Sequence, residues 1–251
     1  MGQPVIIVDS LEKAYGESTV VGNVSFTVEY GEVFGILGPN GAGKTTTLEM
    51  LEALRTIDSG YATIDGVDVA SQPRHIKSII GLQLQSSNFY DKLKLKELLS
   101  MFAGFYGQRI DAVSLLEEVE LAHKADSYPE QLSGGQRQRF SVAVALVNTP
   151  KVMFLDEPTT GLDPQSRRHM WDLVERVRDK GITVVLTTHY MEEAEHLCDR
   201  VAIMDEGSIA ALDTPKQLIQ QLDRGFEKPE TVQQADLEDV FIDLTGKELR
   251  E

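Results

Sequence analysis

Short unbroken apolar runs alternate with helical patterns through most of the chain. Val33-Phe34-Gly35-Ile36-Leu37 stops at a glycine-rich stretch, after which Leu48, Leu51 and Leu54 recur at helical spacing. Val152–Leu155 stops at Asp156. Asp163-Pro164 then supplies an N-cap and a first-turn proline for a helix with Met170, Val174 and Val177 on one face, closed by Gly181. Ile182–Thr188 and Val201–Met204 are further strand-like runs. Strands without polar alternation, separated by helices, predict an α/β fold whose parallel sheet is covered on both faces.

The N-terminal part follows a different rule. Val5–Val8, Val24–Val28 and Tyr61–Ile64 alternate and are joined by short glycine-containing turns, which predicts an antiparallel β layer. From Phe89 to about residue 135 the pattern is mostly helical, and it predicts a helical subdomain inserted into the α/β unit. Thr214-Pro215 starts another helix, followed by the polar linker DRGFEKPETVQQ. A short last helix, ADLEDVFIDLTG, has Asp236 as candidate cap and Gly246 as stop. The expected division is one domain over 1–222, with the helical insert at 89–135, and a linker plus short helix over 223–251.

Composition narrows the function classes. The 251 residues are enough for one large domain, and a net charge of −16 removes the basic footprint that nucleic-acid binding needs. A single cysteine, Cys198, allows no internal disulfide framework and fits a reducing compartment. No stretch approaches the ~20 apolar residues that span a bilayer, and MGQPVIIVDS lacks a signal-peptide pattern. Any membrane role is therefore expected to come through a separate partner.

The candidate chemistry sits at the ends of the apolar runs. Gly38-Pro39-Asn40-Gly41-Ala42-Gly43-Lys44-Thr45 fits GxxxxGK[ST] between a predicted strand and a predicted helix. Glycines let the backbone wrap a phosphate with its N–H groups, and the helix start adds partial positive charge. Lys44 is placed to reach the β- and γ-phosphates, and the Thr45 hydroxyl to ligate Mg²⁺. Asp156 can hold Mg²⁺ through water, and Glu157 beside it can polarise an attacking water as general base. Leu132-Ser133-Gly134-Gly135-Gln136 is a second glycine-bearing helix start; alone it fits either a phosphate contact or a plain turn and cap. His189 follows the strand Ile182–Thr188. His196 lies two helical turns away, and no cysteine or further histidine completes a metal set, so a metal site at His189 is not expected. Placed just after a strand and beside Asp156 in a parallel sheet, His189 is positioned to sense a γ-phosphate. His75, His123 and His169 are expected at the surface.

In this order the motifs resemble those of the ATP-binding-cassette ATPases. The matches are Walker A at 38–45, the signature LSGGQ at 132–136 and Walker B in VMFLDE at 152–157. Gly161-Leu162-Asp163 matches the D-loop, and His189 the switch histidine. The resemblance covers residues 5–212 and implies a P-loop NTPase core, ATP and Mg²⁺ as ligands, and ATP hydrolysis. It also implies individual roles: Tyr15 stacks on adenine, against the competing reading of a core tyrosine, and Thr46 contacts the α-phosphate. Gln85 links Mg²⁺ and water to the helical subdomain, with Gln83 as its rival. Ser133, Gly134, Gly135 and Gln136 cradle the γ-phosphate of ATP bound to another subunit, and Asp163 lies at the dimer seam.

The tail ADLEDVFIDLTGKELR resembles that of cassette ATPases from exporters of the daunorubicin-resistance type, although little lies between Leu222 and Leu237; an amphipathic end helix packed on the domain is the plainer reading. The implied partners are a transmembrane permease subunit and a second copy of the chain or a paralogous ATPase, on the cytoplasmic face of the cell membrane. A translation or repair cassette would need tandem cassettes, a coiled-coil insertion or a basic face. A GTPase or kinase would need its own base-reading or catalytic motifs. Neither set is visible. A regulatory ATP-binding module without turnover is opposed by Glu157 and His189.

Overall fold

The computed structural model describes residues 4–83, 89–223 and 237–245. The chain opens with a ribbon, β1 (Ile6–Tyr15) and β2 (Ser18–Val28), turned at Gly16, whose φ of 61° suits a residue without a Cβ. β3 (Val33–Leu37), α1 (Lys44–Leu51), β4 (Ser59–Ile64) and β5 (Val67–Asp68) follow, and α2 (Pro73–Ile79) runs directly into β6 (Ile80–Gln83). The helical stretch consists of α3 (Leu95–Phe105), α4 (Ala112–Glu118) and α5 (Gly134–Leu146). Then come β7 (Val152–Asp156), α6 (Pro164–Asp179), β8 (Thr183–Thr188), α7 (Met191–Leu197) and β9 (Arg200–Asp205). β10 (Ser208–Asp213), α8 (Pro215–Asp223) and α9 (Leu237–Thr245) complete the described chain.

Among the described residues the strands form two sheets, a six-stranded one in the order β10-β9-β3-β8-β7-β6 and a four-stranded one in the order β2-β1-β4-β5. In the larger sheet β9, β3, β8, β7 and β6 run parallel and only the β9–β10 pair is antiparallel. The smaller sheet is antiparallel throughout. The parallel strands are apolar on both faces because each face meets its own core. Phe34, Ile36, Phe154, Val185, Ala202 and Met204 pack toward the antiparallel layer and α1. Val33, Leu37, Met153, Leu155, Val184, Leu186, Val201 and Ile203 pack toward the helices. Two-sided burial removes the polar alternation a half-exposed strand would show.

The expected helix starts hold in detail. Asp163 Oδ1 accepts the N–H groups of Gln165 and Ser166 at 3.0 Å, and Thr214 Oγ1 accepts that of Gln217 at 3.2 Å. α9 packs on α7 and α8: the Glu195 carboxylate accepts the Leu237 N–H at 2.7 Å, and Leu237, Val240 and Phe241 are buried. Two expectations are corrected. Leu54 does not continue α1; the helix ends at Leu51, Ala53 turns at φ 54°, and Leu54 lies exposed. The helical pattern read from Phe89 becomes helix only at Leu95, where the Glu97 carboxylate accepts the Lys94 N–H at 2.8 Å and fixes the start. The linker DRGFEKPETVQQ past Asp223, with the candidate cap Asp236 and the stop Gly246, lies outside the described residues.

Candidate active site

The parallel strands β3, β7 and β8 end together, so the loops that follow them gather at one edge of the sheet. This is where α/β sheets hold ligands. The loop 38–43 leaves β3 buried at Gly38, where a Cβ would come within 2.2 Å of the Met204 carbonyl oxygen. Gly41 and Gly43 take φ of 85° and 98°, and Gly41 faces open space. Gly43 caps α1 without any side-chain hydrogen bond, so the first N–H groups of the helix stay available. A cavity of about 220 Å³ lies here, lined by Asn40, Gly41, Gly43, Lys44, Thr45 and Thr46, with Val20 and Glu157. Pro39 and Ala42 belong to the same loop, Ala42 buried and Pro39 half-buried.

Lys44 is 4% exposed and folds back on its own loop, donating to the carbonyls of Gly38 at 2.8 Å and Pro39 at 3.1 Å. Burial pushes its ammonium below the usual lysine range, against the pull of Glu157, whose Oε1 lies 3.5 Å away. His189 Nδ1 stands 3.3 Å from the same oxygen. Burial alone would raise the Glu157 carboxyl; Lys44, His189 and the Thr160 hydroxyl, which donates to Oε2 at 3.1 Å, outweigh it and hold the carboxyl low. Glu157 is thus kept ionised between two cationic or polarisable groups. Its backbone sits at φ 47°, a left-handed conformation uncommon for a residue with a Cβ.

Asp156 differs from its neighbour. Burial raises its carboxyl, moderated by hydrogen bonds from Thr187 and Thr45. Thr45 Oγ1 lies 3.2 Å from both carboxylate oxygens. A hydroxyl and a carboxylate facing each other beside the cavity are oxygen donors suited to a hard cation. No group of three or more His, Cys, Asp or Glu side chains among the described residues could form a metal cage by itself.

Sequence reasoning missed Thr187. Its hydroxyl donates to Asp156 at 2.5 Å and accepts the Glu157 N–H at 3.0 Å, so one side chain orders both acids. The available signal was register, since Thr187 stands opposite Asp156 in the parallel β7–β8 pair. It also missed Glu52, which caps the C-terminus of α1 while buried; burial, with Asp156 and Glu49 nearby, pushes its carboxyl up to about 8.

The other expected site residues are placed apart. Tyr15 ends β1, is exposed, and has Lys13 Nζ and Arg55 Cζ at 5.6 and 5.7 Å from its ring centre, which excludes the core-tyrosine reading. Ser133 and Gln136 form a reciprocal capping box at the start of α5: Gln136 N–H donates to Ser133 Oγ at 3.3 Å and Ser133 N–H to Gln136 Oε1 at 3.1 Å. Neither of them, nor Gly134 or Gly135, lines the cavity over the 38–45 loop. Gly135 instead backs onto α6, where a Cβ would meet Ser166 Oγ at 2.7 Å, and Ser166 Oγ donates to Asp163 at 2.6 Å. Gln85 lies outside the described residues; its rival Gln83 is buried at the end of β6. His75 and His123 are exposed, while His169 bonds Glu120 at 3.1 Å and His196 lies against Trp171.

Comparison with known proteins bears on this geometry. Residues 21–160 match the ABC transporter family. The chain is 44% identical over 224 residues to Nod factor export ATP-binding protein I of Burkholderia lata, covering 86% of this chain and 74% of that protein. It is 39% identical over 219 residues to linearmycin resistance ATP-binding protein LnrL of Bacillus subtilis, covering 85% and 70%. Among solved structures, an ATP-binding subunit of an ABC transporter superposes with a TM-score of 0.82 at 28% identity, covering 96% of this chain and 99% of that one. A dimeric, post-hydrolysis ATP-binding cassette bound to ADP and phosphate superposes with a TM-score of 0.75 at 28% identity, covering 83% and 98%.

Proposed function

The chain belongs to the ABC transporter family, as its ATP-hydrolysing nucleotide-binding subunit, and on that premise we propose how its residues divide the work. The observation that carries the reading is Glu157, ionised, buried and held between Lys44 and His189 beside the open start of α1. The loop 38–45 holds the triphosphate through its N–H groups, and Lys44 exchanges its carbonyl contacts for phosphate oxygens. Thr46 contacts the α-phosphate and Tyr15 stacks on the adenine. Glu157 accepts the proton of the attacking water, and His189 fixes the γ-phosphate from the far side. Thr45 and Asp156, with Gln85, would hold Mg²⁺ together with the phosphates, and the ion would there supply positive charge to offset that of the leaving group.

Two chains act head to tail, and Ser133, Gly134, Gly135 and Gln136 of one close on the γ-phosphate held by the other, with Asp163 at the seam. Among the described residues no helix is long and apolar enough to cross a membrane. The relatives' names as export and resistance ATP-binding proteins support the reading that the cassette, residues 1–222 with its helical insert, works through a permease subunit at the inner face of the cell membrane. The names of the relatives favour export as the direction.

Glu157→Gln tests the reading. Phosphate release should fall by about 10²–10⁴-fold, because the amide cannot take the proton, while ATP binding persists and an ATP-bound dimer accumulates. Turnover near the parent rate would remove Glu157 as base.

A further inference from the structure

Behind His189 a buried acid takes no part in the scheme above. Glu193, in the first turn of α7, is fully buried. Trp171 Nε1 donates to its Oε1 at 3.2 Å. The hydroxyls of Thr188 and Thr159 and the Arg167 guanidinium face the same carboxylate. Every group turned toward it can donate, which suits an acceptor-only carboxylate. An apolar residue of the same size would hold the fold at lower cost, because burying a carboxylate is expensive even when it is paired.

The positions of those donors matter more than their number. Thr188 Oγ1 accepts the Tyr190 N–H at 3.0 Å, so its own proton is free to turn to Glu193, which it faces from the start of the turn carrying His189. Arg167 lies over the Tyr190 ring at 4.7 Å. Thr159 belongs to the turn after β7; its carbonyl accepts the Leu162 N–H at 3.1 Å, just before Asp163, and its neighbour Thr160 holds Glu157. Glu193 therefore lies beneath both loops that flank the γ-phosphate position. Glu193 Oε2, Thr159 Oγ1 and Arg167 Nε are buried, yet none makes a well-formed hydrogen bond. Complementary groups gathered around one acid but not closed on it leave room for a tighter arrangement.

We propose that Glu193 is a positioning residue that couples the turn 159–163 to the turn 188–190. When ATP draws both turns in, Thr159 and Arg167 complete their bonds to its carboxylate, and His189 and Glu157 are fixed relative to each other. The proposal rests on Glu157 and His189 being the groups that face the γ-phosphate.

Trp171 is the only tryptophan of the chain, so its emission reports on the cluster directly. The full-length protein is compared with Glu193→Gln, Glu193→Asp and Glu193→Leu for kcat, KM and melting temperature. Trp171 emission with and without Mg-ATP is read in the Glu157→Gln background. Mg-ATP should change the emission of the Glu157→Gln protein, and Glu193→Gln should abolish most of that change. Glu193→Gln and Glu193→Leu should lower kcat by about 10- to 100-fold, as small misplacements at a reacting centre do, with KM nearly unchanged. Glu193→Asp should recover part of kcat. If the Glu193 variants do not fold, Thr188→Val should show the same loss of kcat and Thr188→Ser should not. Parental kcat in Glu193→Gln and Glu193→Leu would overturn the proposal, as would kcat and KM failing together with Trp171 blind to Mg-ATP. Should Glu157→Gln itself keep its turnover, the failure lies in the underlying reading instead.

Discussion

The starts of α1 and α5 are both glycine-bearing turns that present backbone N–H groups, and they differ in what answers those groups. At α1 no side chain caps the helix, Lys44 is buried on the carbonyls of its own loop, and a cavity of about 220 Å³ stands over the turn. At α5 the Ser133–Gln136 capping box satisfies the helix start, and Ser133 and Gly134 are exposed. The first region leaves its helix-start N–H groups without a side-chain partner. The second has its helix start closed by its own side chains, and none of its residues 133–136 lines the cavity over the 38–45 loop. The two glycine-bearing starts therefore lie apart within one chain, and the head-to-tail pairing proposed above is what would bring them onto the same nucleotide.

The contrast should appear most strongly in the response to pH. The buried region holds Glu52, with its carboxyl pushed up to about 8, and Asp156, raised in the same sense. Between about pH 4.5 and pH 8 the unfolded chain releases a proton that folded Glu52 retains, so stability is full at low pH and falls as pH rises. Glu52→Gln should remove that fall, stabilising the nucleotide-free protein by on the order of a few kcal/mol near pH 8 and hardly at all near pH 5. Parallel denaturation curves of parent and variant at both values would refute the assignment.

Next in size is Lys44→Ala. Losing a charge-assisted contact to the phosphates should weaken ATP binding by about 10- to 100-fold, corresponding to roughly 1.5–3 kcal/mol. Calorimetry showing an unchanged dissociation constant would detach Lys44 from the phosphates. The smallest effect on the isolated chain belongs to Ser133→Asp. Aspartate is as good an N-cap as serine, so melting temperature and ATP affinity of the monomer should stay near parental values while ATP-driven dimerisation is lost. Persistence of that dimer would separate α5 from the γ-phosphate.

What the sequence made legible follows from covalent distance. The 38–45 loop, the Asp156–Glu157 pair and the caps at Asp163 and Thr214 are local patterns whose chemistry and geometry are fixed within a few residues. The two-sided core followed from the absence of polar alternation in β3, β7 and β8. Thr187, Glu52 and Glu193 were not legible, because their roles come from register and burial. Thr187 matters only because β8 lies beside β7, and no local pattern marks Glu52 or Glu193 as buried, since packing alone encloses them. Leu54 misled because apolar spacing carries no record of the turn at Ala53.

The central claim is that each ATP is held between two chains, and mixing tests it most directly. Gly135 is a poor place for the lesion, since a side chain there would strike Ser166 within its own chain; Ser133→Asp spares the fold. Lys44→Ala and Ser133→Asp are each built into the Glu157→Gln chain, and each homodimer then spoils both of its sites. In a mixed dimer one site takes both lesions, while the other combines an intact loop 38–45 from the Ser133→Asp chain with an intact Ser133 from the Lys44→Ala chain. The account predicts one occluded ATP per mixed dimer. Mixed dimers that demonstrably form, yet occlude no ATP, would contradict it.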